Sequence, residues 1–261
     1  MSKRDTVGTP SALLDPGNGL LAALPRAQYQ RLRADLELVK LGFGEVLKEP
    51  GVRIRYVYFP IDCVISMLTS AEDGRAVEVA LVGREGMVGT ALALGIDVAS
   101  HRAVVQGAGT ALRMKASSFR REFLRNTPWQ KSIYWYKNGL TRQFAQSVAC
   151  NQFHPLRARL ARYLLMTADR ARSREIRLTH EYLACMLGVR RPGVTSAAGA
   201  LEKRMLIQCN RGKITILDRK RLTASSCACY RIINRIFARA RKRVAGFARP
   251  RRNLMRGALA R

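Results

Sequence analysis

The sequence predicts an α+β protein with an N-terminal antiparallel β-roll, a long helix and a C-terminal winged helix-turn-helix. Three observations lead to this prediction. Short stretches with period-two alternation fill residues 36–115, and a long run with apolar residues at spacings of three and four follows them. Two short helical patterns separated by a glycine, and then a hairpin pattern, come next.

The length and composition suit more than one domain. A chain of 261 residues that is 48% hydrophobic can bury a sizeable core, and its length fits two modest domains better than one. We divide it into five parts: a loose lead-in at 1–17, the β-roll at 18–117, a connecting helix at 118–153, the winged helix-turn-helix at 154–230 and a basic tail at 231–261.

A short helix is predicted to open the β-roll, with Asn18 as its cap and leucines at roughly helical spacing from Leu20 to Leu36. Strands follow in the stretches YVYFP, CVISML, RAVEVALVG and AVVQGAGTALRM, with turn signals such as Glu72-Asp73-Gly74 between them. Strands this short and numerous favour an antiparallel roll or barrel.

The stretch RAVEVALVG shows the alternation most clearly. It places Val77, Val79 and Leu81 on one face of a strand and Glu78 on the other. We therefore expect Glu78 to point away from the apolar side of its sheet.

The connecting helix carries one apolar seam, in which residues recur at spacings of three and four: Ile133, Tyr136, Leu140, Phe144 and Val148. A seam of this kind suits a coiled coil between two chains, so we predict a homodimer that pairs along it. The alternative is that the seam packs within the chain, against the roll.

Two short helices joined by a glycine are predicted after residue 178. Pro155 opens a basic amphipathic helix before them, LRARLARYLLMTADR. Thr179 caps the first short helix, Gly188 allows the tight turn, and Pro192 fits the first turn of a second helix that begins near Arg191. The second helix is predicted to bury one face and expose the other, with the buried residues being Val194, Ala197, Ala198, Leu201 and Met205.

The exposed face of the second helix holds Arg191, Thr195, Ser196 and Gly199 and no large apolar residue. Helices in this arrangement form a helix-turn-helix, whose second helix enters the major groove of double-stranded DNA. The following MLIQCNRGKITILD predicts a hairpin that turns at Arg211-Gly212, which makes a wing suited to phosphate contacts. A structural helical hairpin is the alternative.

The charge is concentrated in the second half of the chain. Residues 1–120 hold 15 Lys and Arg against 12 Asp and Glu, whereas residues 121–261 hold 32 against 6, a net charge of +26. A polyanion bound there would release counterions, so we expect a nucleic-acid partner for this half rather than a generally basic surface kept for solubility.

Six cysteines without a C-x-x-C pair indicate free thiols in a reducing cytoplasm. Cys227-Ala228-Cys229 has no histidine or aspartate nearby in sequence, so we expect these thiols to pack and predict no metal site. The histidines His101, His154 and His180 show no catalytic or metal spacing, and no phosphate loop occurs, so no enzyme is predicted. No run of about 18 apolar residues indicates a membrane span.

The chain resembles the Crp/Fnr family of bacterial transcription regulators, named for a cyclic-AMP receptor and an oxygen sensor. The likeness covers roughly residues 18–230, in VYFP, VEVALVGREGMVG, RAVVQGAGTALRM, RLARYLLM, LTHEYLACMLGVRRPGVTSAAGALEKRMLI and ACYR. It implies a cyclic-nucleotide-binding-like sensor roll, a dimerisation helix and a winged helix that binds two-fold symmetric sites. It also implies RNA polymerase as a partner, which the dimer recruits or blocks. The alternative is a sensor domain that acts mainly through protein partners and has only non-specific DNA affinity.

The resemblance also assigns an effector pocket. Members that bind cyclic AMP have a Gly-Glu pair where this chain has Gly89 and Thr90, and an Arg-Ser pair where it has His101 and Arg102. Thr90 lacks the carboxylate and the cation is displaced by one residue, so we predict that cyclic AMP is not bound in the usual way. No cysteine precedes Cys63, so no iron–sulfur cluster of the oxygen-sensor type is predicted, and the effector stays unknown.

On the second helix, Arg191 matches a family position that reads a base, and a second such position matches Ser196. We assign base readout to Arg191, Thr195 and Ser196. Phosphate contacts are assigned to five residues that flank the helix or the wing: Arg190, Thr179, Lys203, Arg211 and Lys213.

The basic tail beyond Tyr230 holds 11 Lys and Arg and no acidic residue. An apolar stripe runs along it: Ile233, Ile236, Phe237, Ala240 and Val244. We favour a helix that packs on the winged domain and holds an arm along DNA phosphates. An anionic membrane surface or a tail without function are the alternatives.

Overall fold

The computed structural model describes residues 16–70 and 75–248, with side chains described up to residue 239. The predicted lead-in up to residue 15, the turn at 72–74 and the end of the tail at 249–261 lie outside the described residues. The fold class is confirmed: antiparallel sheets come first, a long helix follows, and helices with a small sheet end the chain.

The β-roll consists of two antiparallel sheets. In the three-stranded sheet β7 (Gly109–Lys115) lies between β1 (Leu36–Leu41) and β3 (Tyr56–Pro60). In the four-stranded sheet the order is β2 (Val46–Lys48), β6 (Arg102–Gly107), β4 (Val64–Ser70) and β5 (Ala76–Val82). AVVQGAGTALRM is thus two strands, which belong to different sheets and meet at a corner flanked by Gly107 and Gly109.

The predicted opening helix is in fact two helices and the start of a strand. The side chain of Asn18 accepts hydrogen bonds from the backbone N–H groups of Leu20 and Leu21, so it caps α1 (Gly19–Ala22) as predicted. Pro25 then separates α1 from α2 (Arg26–Arg33). Leu36 is the first residue of β1, because the chain is already extended there.

A β-bulge in β5 overturns the predicted placement of Glu78. Met67 of β4 pairs with Ala80, but the next residue, Leu68, pairs with Glu78, so Val79 is an extra residue in the ladder. The bulge reverses the alternation, and Glu78 therefore shares the face of Leu81 instead of opposing it.

The predicted connecting helix is divided at Asn126 into α3 (Ala116–Arg125) and α4 (Thr127–Phe153). The predicted dimer seam is wrong for Ile133, Tyr136 and Leu140. These side chains are at most 3% exposed and pack within the chain, against the roll and against the C-terminal helix. Phe144 is half-buried on the roll, and Val148 remains 69% exposed.

The C-terminal half is built around α5 (Leu156–Ala171). It also contains α6 (His180–Leu187), α7 (Arg191–Glu202), α8 (Arg219–Ser225) and a sheet in which β10 (Lys213–Ile216) lies between β8 (Glu175–Arg177) and β9 (Ile207–Asn210). The sequence periodicity predicts that α5 is amphipathic, with a basic face exposed to solvent. In the structure residues 159–168 are all buried, and these include Arg159 and Arg162. The reason is that the roll covers one side of α5 and α7 covers another.

The last helix, α9 (Cys229–Ala248), contains the start of the predicted basic tail. Ile233 and Ile236 are buried and the Phe237 ring lies 6.0 Å from that of Tyr136, so α9 packs mainly along α4. The predicted contact with the winged domain is confirmed at Ile233, which belongs to the same buried cluster as Leu160 of α5. The tail stripe residues Ala240 and Val244 lie outside the described side chains.

A chain of hydrogen bonds joins the roll to α5. Ser66 Oγ lies 2.7 Å from both Glu78 Oε2 and Gln106 Oε1, and Gln106 Nε2 donates to Thr167 Oγ1 at 3.2 Å. The single hydroxyl proton of Ser66 serves only one of its two acceptors. When Glu78 is protonated it donates to Ser66, which then donates to Gln106, and every contact is satisfied. Burial raises the pKa of Glu78 to about 7, which agrees with this arrangement.

We expect Glu78→Gln to stabilise the folded chain above pH 7. The folded-state pKa of Glu78 is raised from 4.5 to about 7, so the folded chain holds a proton that the unfolded chain releases as the pH rises through this window. Wild-type stability therefore falls between about pH 4.5 and 7, whereas the amide of the variant stays neutral and still donates to Ser66. Urea unfolding at pH 5 to 8 should show a stability difference that grows to about 1–3 kcal/mol.

The exposed Glu181→Gln is the matched control and should change stability little at any of these pH values. A difference between Glu78→Gln and the wild type that stays constant from pH 5 to 8 would show that Glu78 does not titrate in this window.

Candidate nucleic-acid interface

The helix-turn-helix has the local geometry that its sequence predicts. Thr179 Oγ1 accepts from the backbone N–H of Tyr182 at 3.1 Å and caps α6. Gly188 ends α6 with a φ of 63°, in the left-handed region that favours glycine. Pro192 lies in the first turn of α7, where its missing N–H costs nothing.

Helix α7 has a buried and an exposed face. Val194, Ala197, Ala198 and Leu201 are buried as predicted. Met205 is an exception, because it lies beyond the end of the helix with a φ of 55° and is 66% exposed. The adjacent Leu206 fills the core instead, and its N–H donates to the carbonyl of Leu201.

The exposed face of α7 holds Arg191, Thr195 and Ser196, the three residues assigned to base readout. Thr195 Oγ1 donates to the carbonyl of Arg191 at 3.2 Å and lies 3.1 Å from His180 Nδ1, which fixes its orientation. A Cβ built on Gly199 would have no atom within 4 Å, so this face is open and flat. The outer face of α7 therefore has no bulky side chain at Gly199 that would keep the walls of a DNA major groove at a distance.

The wing turns where predicted. Arg211 and Gly212 link β9 to β10, and both have positive φ, 42° and 79°, as a two-residue hairpin turn of type I′ requires. Lys213 Nζ lies 2.6 Å from Glu175 Oε1, so its charge already has a partner across the small sheet. Of the two wing cations, Arg211 is the one exposed at the tip.

The start of α7 and the wing tip line a shared concavity of ≈310 Å³. Arg191 and Thr179 line it from the helices, and Arg211 and Lys213 line it from the wing. Lys203 is exposed near the far end of α7. The concavity brings together four of the eight residues predicted to bind DNA.

A second and larger groove, of ≈1220 Å³, separates the helix-turn-helix from the roll. Arg190 and Arg191 line one wall, and Arg102 lines the opposite wall. Arg191 Nε lies 3.9 Å from Glu181 Oε2, and both side chains are well exposed. An exposed pair at this distance is worth little in water, so Arg191 is available to a stronger partner.

Three of the four residues assigned to the effector pocket come together. Gly89, Thr90 and His101 line a cavity of ≈170 Å³ between the roll and α4. Arg102 does not belong to it, because its side chain lies on the other face of β6, where its Nε is 3.1 Å from Glu49 Oε1. Adjacent strand residues point to opposite faces, which is why the displaced cation cannot reach the cavity.

Sequence reasoning missed two cations of this cavity, Lys48 and Lys137. Burial lowers the pKa of Lys48 to about 7, and its Nζ has no hydrogen-bond partner among the described residues. Burial, and then the charge of Lys137, lowers the pKa of His101. Lys48 lies on β2 and Lys137 lies on α4. Nothing in the sequence indicates that these two lysines are close in space, because only the fold brings them together.

The expectation that Cys227 and Cys229 lack a nearby histidine is wrong. His154 Nδ1 lies 3.5 Å from Cys229 Sγ, and Cys150 Sγ lies 3.5 Å from Cys227 Sγ. Sequence separation concealed this group, because two of its members come from the end of α4 and the other two from the beginning of α9 and the turn before it.

Comparison with known proteins agrees with this geometry. Residues 158–225 match the Crp-like helix-turn-helix domain. The fold is similar to that of FixK2 from Bradyrhizobium japonicum, with a TM-score of 0.60 and 15% identity over 74% of this chain and 98% of that one. A transcriptional regulator of the CRP family from Thermus thermophilus gives a TM-score of 0.60 and 21% identity over 72% and 95% of the two chains.

A third similar structure is the c-di-GMP responsive global regulator CLP of Xanthomonas campestris, with a TM-score of 0.59 and 14% identity over 74% of this chain and 99% of that one. No curated protein sequence matches the chain. None of the described helices has the length and apolar character needed to cross a membrane. Residues 158–225 thus match a Crp-like helix-turn-helix domain, and the described chain has a fold similar to that of Crp/Fnr proteins of known structure.

Proposed function

We propose that this protein is a DNA-binding transcription regulator of the Crp/Fnr type, which binds two-fold symmetric DNA sites as a homodimer and from there recruits or blocks RNA polymerase. The observation that carries sequence-specific binding is the exposed face of α7, where Arg191 stands at the N-terminal end beside the tip of the wing. The recognition helix of a helix-turn-helix contacts base edges with its N-terminal residues, which is the end that Arg191 occupies.

Phosphate contacts surround this base-reading position. Arg190 and Arg211 are exposed at the two sides of Arg191, and Thr179 and Lys203 lie at the ends of the two helices. Lys213 is the weakest of the five assigned phosphate contacts, since a phosphate must compete with Glu175 for it. Positive charge spread in this way positions the protein on the backbone without reading sequence.

Arg191→Ala is expected to abolish discrimination at one base pair in each half-site. A guanidinium that pairs with guanine O6 and N7 contributes about 1–3 kcal/mol of discrimination. Duplexes selected from a random pool define the site, and titrations on its single-base variants measure the loss at each position. The matched control Arg190→Ala should weaken binding to all sequences alike and lower the slope of log affinity against log salt by about 1.

An Arg191→Ala loss that is equal on every sequence would make Arg191 a phosphate anchor. It would favour the alternative, a sensor domain that acts mainly through protein partners and has only non-specific DNA affinity.

Dimerisation is proposed along an exposed face of α4 that shares only Val148 with the predicted seam. Tyr134 and Val148 are 46% and 69% exposed, and Thr141 lies midway between them, seven residues from each. A seven-residue repeat keeps these side chains on one side of a supercoiled helix pair. The chain's own roll and α9 cover Ile133, Tyr136 and Leu140 of the predicted seam, whereas this face is exposed and can meet a second copy.

Val148→Asp is expected to raise the dimer dissociation constant at least about tenfold, because it replaces an apolar side chain of the pairing face with a charge. Sedimentation equilibrium over a range of protein concentrations measures the change. Val52→Asp, an exposed valine of the roll at 55% exposure, is the matched control and should leave the dimer intact. A Val148→Asp dimer as tight as the wild type would exclude this face.

For the effector we propose a small anion bound in the cavity between the roll and α4, with cyclic AMP and iron–sulfur clusters not expected there. The support is the charge of the cavity: Lys48, Lys137 and His101 line it, and no acidic residue does. The buried Lys48 ammonium has no hydrogen-bond partner among the described residues, and an anion would supply one. Thr90 cannot accept from a ribose as a carboxylate would.

Lys48→Met is expected to stabilise the chain by about 2 kcal/mol below pH 7, because it removes a buried cation. Burial lowers the folded-state pKa of Lys48 from 10.5 to about 7. The unfolded chain thus binds a proton in this window that the folded chain lacks, so wild-type stability rises from pH 7 to 10.5 and that of Lys48→Met stays flat. Thermal and urea unfolding measure both effects, with the exposed Lys40→Met as control.

Inorganic phosphate and citrate test the ligand class in the same experiment. Either anion should raise the melting temperature of the wild type at pH 6.5 and leave that of Lys48→Met unchanged. Equal shifts in both proteins would contradict an anion site at Lys48.

A further inference from the structure

Four potential metal ligands meet where the end of α4 touches the start of α9. Cys150 lies in the last turn of α4, His154 caps the end of that helix, Cys227 lies in the turn before α9, and Cys229 is the first residue of α9. Their ligand atoms all lie within 4.8 Å of one another. The four residues, called the Cys3His cluster below, lie outside the proposed DNA interface and outside the cavity of the roll.

We propose that the Cys3His cluster binds one Zn²⁺ ion as a closed tetrahedral site. Zinc binds sulfur at about 2.3 Å and imidazole nitrogen at about 2.0–2.1 Å, so a regular tetrahedron separates two sulfurs by about 3.8 Å and a sulfur from a nitrogen by about 3.5 Å. The Cys150–Cys227 sulfurs are 3.5 Å apart, and Cys229 Sγ is 3.5 Å from His154 Nδ1. These two separations lie within a few tenths of an ångström of the tetrahedral values, and the other separations among the four ligand atoms are at most 4.8 Å.

The spacing along the chain also suits a metal. Cys150 lies in the last turn of α4, and His154 is the residue that caps the end of this helix, from where its Nδ1 reaches to 3.5 Å from Cys229 Sγ. Cys227 and Cys229 are two residues apart at the beginning of α9 and approach from the other side. Soft thiolates with one imidazole in a tetrahedral set favour zinc over the hard cations magnesium and calcium.

The burial of the cluster indicates a structural ion. Cys150, Cys227 and Cys229 are 0%, 7% and 1% exposed, so four protein ligands enclose the centre and leave no position for water or substrate. Gln146 Nε2 donates to Cys229 Sγ at 3.0 Å. A hydrogen bond of this kind orients a ligand from outside the coordination sphere.

Two buried arginines supply an independent argument from charge. Arg159 and Arg162 are 7% and 6% exposed, and neither makes a salt bridge with a described carboxylate. Their charges act on Cys150. A zinc ion with three thiolates and one neutral imidazole has a net charge of −1, which would offset part of this buried positive charge.

The site would cross-link distant parts of the chain. It would connect the beginning of α9 to the end of α4. Cys150 and Cys227, for example, are 77 residues apart in the sequence. Helix α9 then covers α4 as far as Tyr136, through Phe237. An ion that binds only the folded state stabilises that state. Zinc bound at the cluster would therefore hold the C-terminal helix α9 against the long helix α4.

The test is the zinc content of the full-length chain, purified under reducing conditions without chelator. We expect about one zinc per chain by mass spectrometry of the elements. Cys227→Ser and His154→Gln each remove a ligand and should weaken zinc binding at least about tenfold in competition with a chelating dye. Cys185→Ser and Cys209→Ser remove thiols outside the cluster and should retain the zinc.

Cobalt exchange on the wild type keeps the test decisive if a ligand variant fails to fold. Co²⁺ in the site should show thiolate-to-metal absorption together with the intense visible bands of tetrahedral coordination, and zinc should displace it. A reduced wild-type chain that neither contains zinc nor takes up Co²⁺ with these bands would overturn the proposal. The same holds if the only change at the cluster is a Cys150–Cys227 disulfide formed in air.

Discussion

The burial of α5 on every side is the constraint on which both halves of the molecule depend. The roll packs on the side that carries Tyr163 and Thr167, and the core of the helix-turn-helix packs around Leu160 and Leu164. A helix in this position must satisfy its polar groups internally, because water does not reach them. Arg170 does so with Glu85 at 2.9 Å, which fastens the helix to the loop that follows β5.

The same contacts join the β-roll to the helix-turn-helix. The sheet face that meets α5 contains the hydrogen-bonded group of Glu78, Ser66 and Gln106, and α6 touches the neighbouring part of β5, where Cys185 Sγ donates to the carbonyl of Ala76 at 3.5 Å. A ligand that shifts the roll against α4 therefore acts on elements in direct contact with the helix-turn-helix. Packed interfaces of this kind change between discrete arrangements rather than deform gradually.

Short sequence signals were sufficient to predict where helices begin and end. They were not sufficient to predict which distant segments of the chain contact each other. Thr179, Gly188 and Pro192 set the limits of α6 and α7 through caps and backbone angles, which each depend on a few neighbouring residues. Ile133, Tyr136 and Leu140 of the α4 seam are buried, but by the chain's own roll and α9 and not by a second copy, because periodicity cannot say which partner buries a seam. The bulge that turns Glu78 depends on its pairing with β4, and the meeting of Cys150 with Cys227 depends on how α9 returns to α4.

The open face of α7 at Gly199 affects how this protein can change over evolutionary time. A glycine inside a helix makes the helix less stable than an alanine would, by about 1 kcal/mol, and a Cβ at this position meets no other atom within 4 Å. Larger residues should therefore be accepted there without loss of folding stability. The outer surface of α7 can thus change its shape and chemistry over generations while the fold beneath it stays the same.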